Sequence, residues 1–136
     1  TSSLALWAYT DLSDPRFRFG HRYIYLRQDK TALSPQKIVA CVPNAWVAYA
    51  NESSLFLKQF SHTGAPHQVY TDLNSSVEVF TNDFMLELET LSRVVTLRPS
   101  AHAEHTEWWT LARNVPELTH DEDVDRVVLP LLVGID

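Results

Sequence analysis

Apolar and polar residues alternate along most of the chain, and a period of two is the pattern of a β-strand with one buried face. Turn signals such as Pro43-Asn44 separate the alternating runs. The pattern predicts strands at 22–27, 36–42, 45–50, 54–60, 76–81, 84–91, 94–97 and 103–111, and loops at 10–16 and 61–67. Short strands at this spacing are typical of an antiparallel sandwich or barrel, not of a βαβ fold.

One helix is predicted near the C-terminus. Thr119 and Glu122 have the spacing of a capping box, with Thr119 as the N-cap residue. Apolar residues then recur at helical spacing, namely Val124, Val127, Val128 and Leu131. Pro130 should end or kink this helix. Because no repeat or linker interrupts the chain, we expect one domain over residues 1–136: a mostly β, antiparallel sandwich with one C-terminal helix.

Composition narrows the classes of partner. The formal net charge of −6 argues against nucleic acid, which is bound by a basic stripe. Three glycines are too few for a phosphate-binding loop. No apolar run has the length that spans a bilayer, so no membrane contact is expected. Cys41 is the single cysteine, so a disulfide within the chain is impossible and a reducing, cytoplasmic location is expected. Its apolar surroundings indicate a buried, inert thiol.

Several motifs occur in an order that resembles a known family. They are Tyr9 to Arg16 (YTDLSDPR), Leu26 to Asp29 (LRQD), Ser34 to Lys37 (SPQK), Phe84 to Thr90 (FMLELET), Leu97 to Pro99 (LRP), His105 to Glu107 (HTE), and Trp109. Together they resemble the C-terminal half of uncharacterised bacterial mutarotase-like proteins, in the galactose mutarotase (aldose 1-epimerase) superfamily. The resemblance covers about residues 7–111. It implies part of a large antiparallel β-supersandwich that binds carbohydrate and needs no metal or cofactor.

The resemblance also implies roles for particular residues. Glu89, in Leu88-Glu-Thr90, stands where mutarotases carry their catalytic base. That base removes the proton of the anomeric hydroxyl while an acid, usually histidine, protonates the ring oxygen. A partly desolvated glutamate suits this task, because burial raises its pKa towards neutrality. We take His105 as the tentative acid, with His62 and His67 as other candidates. The expected sugar-binding residues are Glu87, His62, His67, Asp11, Arg16 and Trp109.

The chain departs from this family in three ways. The relatives are roughly twice as long, and their acid histidine belongs to the N-terminal half. Pro99-Ser-Ala101 replaces the usual Pro-Gly-Glu, and Ser92-Arg93 stands where Gly-Pro is frequent. We therefore expect half a supersandwich, either part of a longer protein or standing alone. Such a half exposes strand edges and apolar faces. We expect a homodimer in which two copies cover each other through 77–80 and 104–111.

Each functional interpretation has a structural alternative. Glu87 and Glu89 share one face of their strand, and that face could simply be wet, with Glu89 paired to Lys58 or Arg93. The segment that contains Asp11 and Arg16 could form an Asx-type turn closed by a local ion pair. A metal site at 102–107 would have too few ligands on one face. The tryptophans could stack on sugars or fill volume; they are Trp7, Trp46, Trp108 and Trp109.

Two functions from different classes follow. The first is a carbohydrate-binding domain, with residual aldose epimerase chemistry if a histidine supplies the acid. It requires a concave pocket that holds Glu89, a histidine and an exposed tryptophan. The second is a non-catalytic dimerising or scaffold module that keeps the fold alone. It predicts that the face bearing Glu89 is flat, wet or covered by a second copy.

Overall fold

The computed structural model describes residues 3–61 and 69–134. The strands in these ranges are β1 Leu4–Leu6, β2 Phe17–Phe19, β3 Ile24–Leu26, β4 Gln36–Ala40, β5 Trp46–Asn51, β6 Ser54–Phe60, β7 Val77–Thr81, β8 Leu86–Thr90 and β9 Glu107–Arg113. Helix α2 covers Asp121–Val127 and is followed by a 3₁₀ turn at Leu129–Leu131; the single turn α1, Thr71–Asn74, is left-handed, since Asp72, Leu73 and Asn74 all have positive φ. Of the expected site residues, His62 and His67 lie outside the described part of the chain.

Three antiparallel sheets organise the strands. The largest has the order β1-β4-β7-β8, the hairpin β2-β3 forms a second, and the third has the order β5-β6-β9. Every strand pair is antiparallel. The prediction of a mostly β, antiparallel fold with one C-terminal helix is therefore confirmed. No helix in the described ranges has both the length and the apolar character that crossing a membrane requires.

The four-stranded sheet has two chemically different faces, because directly paired residues project to the same side and neighbours along a strand alternate. Register places a row of aliphatic side chains on one face: Ile38, Val77, Val79, Leu86 and Leu88. We call this the aliphatic face. On the opposite face, Glu78 lies beside Val39 on one strand and Glu89 on the other. Both Glu87 and Glu89 thus share a face, as their spacing predicts.

The described core lies between the three-stranded sheet and the C-terminal helix. Leu55 and Leu57 of β6 are at most 1% exposed, and Val124 and Val128 pack against them. The valines recur at helical spacing and form the apolar stripe of α2. Between the aliphatic face and strand β5 lies an open cleft of about 1140 Å³, bordered also by the β2-β3 hairpin. The two larger sheets therefore share a groove instead of closing on each other.

The helix begins one residue later than predicted. His120, not Thr119, is its N-cap residue, and the carboxylate three residues on is Asp123, not Glu122. Asp123 Oδ2 accepts hydrogen bonds from the backbone N–H groups of His120 (3.0 Å) and Thr119 (3.1 Å). The hydrogen bonds of a capping box therefore form as expected, but one residue further along the chain. The helix ends at Val127, and Pro130 follows within the 3₁₀ turn, as its ring requires.

Three other differences concern strands. The segment at 94–97 is not a strand: Val94 donates one backbone bond to Val69 (2.7 Å), and Val94 and Leu97 are more than half exposed. Alternation alone does not form a strand where no neighbour accepts its ladder bonds. Strands β1 and β2 were not predicted, and β9 begins at Glu107 rather than 103. Cys41 is half-buried rather than fully enclosed.

Candidate functional site

Ionisable side chains gather on the face of the four-stranded sheet opposite the aliphatic face. We call this the carboxylate face and define it by Trp7, Lys37, Glu78, Glu87 and Glu89. Strand pairing sets Glu78 directly across from Glu89, and Phe80 across from Glu87. Lys37 lies on the next strand, opposite Phe80. Three carboxylates and one ammonium thus share a few strand positions beside the buried Ala5 and Val39.

A buried ion pair anchors this face. The Lys37 ammonium contacts the Glu78 carboxylate, and the two side chains are only 15% and 8% exposed. Burial works against the charge on Lys37, but the hydrogen bond and charge of Glu78 outweigh it, so the pKa of Lys37 is raised. The same ammonium lies 4.5 Å from the centre of the Trp7 ring, a cation–π distance. Lys37 is therefore held in its charged form.

Glu89 lies opposite Glu78 on the next strand but is not a member of this ion pair. Burial raises the pKa of Glu89, and the neighbouring charges of Glu78 and Glu87 raise it further, while Lys37 and Lys58 act in the opposite direction. Two carboxylates at one register position repel, and the one without its own ammonium holds its proton more tightly. Such a group can accept a proton from a hydroxyl nearer neutral pH than an exposed glutamate can. This is the property that a general base requires.

The structure does not bring the proposed base and acid together. His105 lies at the other face of β8, where its Nε2 is 2.7 Å from Thr90 Oγ1. Since Thr90 follows Glu89 directly along the strand, the two side chains project to opposite faces. The charges that act on Glu89 are lysines and glutamates, with no histidine of the described residues among them. His105 thus has no geometric access to a sugar bound at Glu89.

A second cluster joins the two large sheets around Glu107. Its Oε1 accepts hydrogen bonds from Lys58 Nζ (3.2 Å) and from Thr90, and its Oε2 accepts from Trp109 Nε1 (2.6 Å). Burial opposes its charge, but these hydrogen bonds outweigh it and lower the pKa of Glu107. Lys58 Nζ also donates to the Leu88 carbonyl oxygen at 2.9 Å. Lys58 is therefore paired with Glu107, not with Glu89 as the alternative interpretation supposed.

The segment at 10–16 forms a closed local structure. Asp11 Oδ1 accepts from the backbone N–H of Ser13 (2.8 Å), an Asx-type turn. Arg16, 2% exposed, donates from Nη2 and Nε to both oxygens of Asp14. This hydrogen bond lowers the pKa of Asp14 to about 2. The contacts are those of the structural alternative, and the guanidinium of Arg16 is occupied by them.

The cleft and the carboxylate face lie on opposite sides of the same sheet. Leu86 and Leu88 line the cleft, whereas Glu87 and Glu89, which alternate with them, do not. Trp109 is also absent from its lining and stands 65% exposed on β9. The pocket that would combine Glu89, a histidine and an exposed tryptophan is therefore not formed by the described residues.

No metal centre is apparent in the described ranges, where no group of three or more histidine, cysteine or acidic side chains converges. His102 and Glu104 form a 3.8 Å contact with both side chains more than four-fifths exposed. The histidines there belong to the surface.

Sequence reasoning missed two members of the carboxylate face, Lys37 and Glu78, as site residues. The signal for Glu78 is present, because it is a carboxylate between two valines of an alternating strand. What the sequence does not reveal is which strand pairs with this one and sets Lys37 beside Glu78.

No known protein family, curated protein or solved structure matches this chain.

Proposed function

We propose that the chain is a mutarotase-like carbohydrate-binding domain and that the sugar binds at the carboxylate face. The observation that carries this proposal is the raised pKa of Glu89 beside the buried pair of Lys37 and Glu78. Perturbed carboxylates with a specific charge partner concentrate at functional sites. Glu89 is also the residue that the family resemblance implies as the base.

The chemistry of this face suits a polyhydroxylated ligand. Sugar hydroxyls both donate and accept hydrogen bonds, and here a charged donor, Lys37, lies next to acceptors, Glu78 and Glu89. Glu87, exposed at the rim of the same face, adds a further acceptor. Hydrogen bonds to charged groups are the stronger kind, so a few of them can orient one ring. No apolar ligand would use these groups.

Because the described residues form no pocket that joins Glu89 to a histidine and an exposed tryptophan, the proposal is for binding at an open face of the sheet. Binding is its principal activity, and epimerisation is secondary. In mutarotation Glu89 takes the proton of the C1 hydroxyl, and the ring oxygen gains a proton from an acid as its bond to C1 breaks. The aldehyde rotates about C1–C2 and closes on its other face, and both protons return. Lys37 is a poor acid, because its pKa is raised. The described residues thus supply the base without the acid.

The test compares wild type with Glu89→Gln and the control Glu122→Gln, which makes the same chemical change at an exposed position of α2, in a thermal-shift panel of aldoses, uronic acids and oligosaccharides. A ligand that binds the native state raises the melting temperature by mass action. We expect one sugar class to stabilise wild type and Glu122→Gln but not Glu89→Gln. An equal shift in all three proteins would place the ligand elsewhere, and no shift with any sugar would contradict the proposal. Polarimetry on the ligand then measures any epimerisation.

A second function, a dimerising interaction module, is favoured by a different observation. Strand β9 is at the edge of its sheet and carries exposed apolar side chains, with Trp109 65% and Leu111 80% exposed. Strand β7, which we also expected at an interface, is an inner strand paired on both edges. A contact between copies is therefore proposed at β9 alone. This function uses neither Glu89 nor Lys37.

A further inference from the structure

Strand β9 has one free edge. It pairs with β6 along its whole length, from Glu107 opposite Phe60 to Arg113 opposite Ser54, and no other described strand pairs with it. Its outer edge is seven residues long and contains neither proline nor glycine. Lysine, proline and bulges are the usual means by which proteins protect such edges, and none occurs here. The free N–H and C=O groups can therefore accept another strand.

Both faces of this edge strand are unusually apolar for an exposed position. Trp109 and Leu111 share one face and are 65% and 80% exposed. Trp108 on the other face is 37% exposed. The Trp109 ring is held in place, because it packs edge-on against Phe56 at 5.3 Å and donates its Nε1 hydrogen to Glu107. A fixed, exposed aromatic side chain is typical of the anchor of a protein interface.

We propose that β9 pairs with β9 of a second copy, antiparallel and centred on Thr110, so that two three-stranded sheets become one six-stranded sheet. The sequence Glu-Trp-Trp-Thr-Leu-Ala-Arg is complementary to its own reverse about this residue. Two-fold pairing sets Glu107 opposite Arg113, Trp108 opposite Ala112, and Trp109 opposite Leu111. Each copy thus contributes the same patch, as an interface with two-fold symmetry requires.

Charge and hydrophobicity select this register over its neighbours. If Trp109 were central, Glu107 would lie opposite Leu111. If Leu111 were central, Trp109 would lie opposite Arg113. Only the register centred on Thr110 sets opposite charges across from each other and the exposed apolar residues across from each other. The side chains therefore select one register, although the backbone hydrogen bonds would not distinguish it from its neighbours.

Glu107 and Arg113, at the two ends of β9, are both able to form the ion pair between copies. Arg113 is exposed and has no ion pair with any described residue. An ionised carboxylate offers about four acceptor positions. Glu107 uses three of them, for Lys58, Thr90 and Trp109, so one remains on Oε2. The guanidinium of Arg113 in the other copy would occupy it.

The first test is sedimentation velocity of the full 136-residue chain from micromolar to millimolar concentration. We expect a concentration-dependent monomer–dimer equilibrium in wild type. Arg113→Glu should remain a folded monomer, because it sets two carboxylates opposite each other at both ends of the pair. The control Arg93→Glu carries the same charge change at an exposed position outside β9 and should dimerise like wild type. A wild-type protein that stays monomeric at millimolar concentration would overturn the proposal.

The second test fixes the register. In a Cys41→Ser background, Thr110→Cys places two thiols directly opposite each other, within the Cα separation of a disulfide. The matched variant Ala112→Cys places its thiols about 14 Å apart along the two strands, which is too far for a bond. We expect air oxidation to crosslink Thr110→Cys dimers and not Ala112→Cys dimers. Equal crosslinking of the two variants, or none with Thr110→Cys in a protein that dimerises, would overturn this register.

Discussion

At the scale of single residues, Glu89 shows how a partly buried carboxylate can destabilise the fold that holds it. Its folded pKa is raised, so the folded state prefers the protonated side chain. That preference stabilises the fold below the unfolded pKa of about 4.3, and it is lost as pH rises through the folded pKa. Groups adapted to chemistry commonly carry such a cost in stability.

We therefore predict that Glu89→Gln raises the melting temperature at pH 7 and that this gain disappears towards pH 3, well below the unfolded pKa, where Glu89 is protonated in both states. Differential scanning calorimetry between pH 3 and pH 8 measures the difference. Glu87→Gln, at an exposed position of the same face, controls for the loss of one negative charge. A melting temperature that falls at pH 7 would mean that the charge of Glu89 stabilises the fold, contrary to the electrostatics described above.

Asp14 is predicted to behave in the opposite way. Its pKa falls from 3.8 to about 2, chiefly through the hydrogen bond from Arg16, so its ionised form stabilises the fold above pH 3.8 and loses this effect as pH falls towards 2. Asp14→Asn should cost on the order of 1–2 kcal/mol at pH 7 in urea unfolding. The cost should shrink near pH 2. Glu117→Gln makes the same chemical change at an exposed position and should cost little at pH 7, and an equal effect of the two variants would argue against the pair.

At the scale of elements, the N-terminal cap of α2 rests on Asp123. This carboxylate accepts the backbone N–H groups of Thr119 and His120, and those hydrogen bonds lower its pKa. We predict that Asp123→Ala destabilises the protein and lowers its melting temperature, because the backbone N–H groups of Thr119 and His120 lose their acceptor, the usual effect of removing a cap. Thermal unfolding measures it. Glu122→Ala, exposed and one position earlier, removes the residue that the sequence pattern favoured and should cost much less.

The elements also show what a sequence can and cannot predict. Strand β6 could be predicted because Leu55 and Leu57, two positions apart, share one face of a strand, and in the structure they pack on the helix valines. The segment at 94–97 alternates equally well, yet Val94 finds a single backbone partner and no ladder forms. Alternation reports which face could be buried, and the presence of a neighbouring strand decides whether a strand exists. The helix boundary was misplaced by one because Glu122 and Asp123 are chemically interchangeable at N3.

At the scale of the whole molecule, the sequence could place Glu87 and Glu89 on one face but not say what lies across from them. That depends on pairing between distant strands, which brings Glu78 beside Glu89 and Lys37 beside Glu78. The same long-range geometry separates Glu89 from His105. The family resemblance implied Glu89 as the base and the local pattern predicted which face it shares with Glu87, whereas only the assembled sheet shows that His105, the proposed acid, lies at the opposite face.

The two larger sheets are held together partly by Lys58. It projects from the three-stranded sheet, donates to the Leu88 carbonyl of β8 at 2.9 Å, and pairs with Glu107 at 3.2 Å while only 13% exposed. A second link between these sheets is the hydrogen bond that Thr90 of β8 donates to Glu107 of β9. A charged hydrogen bond between elements is worth about 1.5–3 kcal/mol. We therefore expect the contacts of Lys58 to limit local opening of β8 away from the three-stranded sheet.

We predict that Lys58→Met lowers stability by about 2 kcal/mol and speeds amide exchange in β8 far more than in β6, whose ladder bonds to β5 and β9 remain. Methionine keeps an unbranched apolar side chain but removes the ammonium, and with it the charge and the hydrogen bonds to Leu88 and Glu107. Lys30→Met, at an exposed position, controls for the general effect of losing a cation. If exchange in Lys58→Met rises uniformly, Lys58 stabilises the whole fold and not the junction. A selective rise in β8 would show that the sheets open along the cleft.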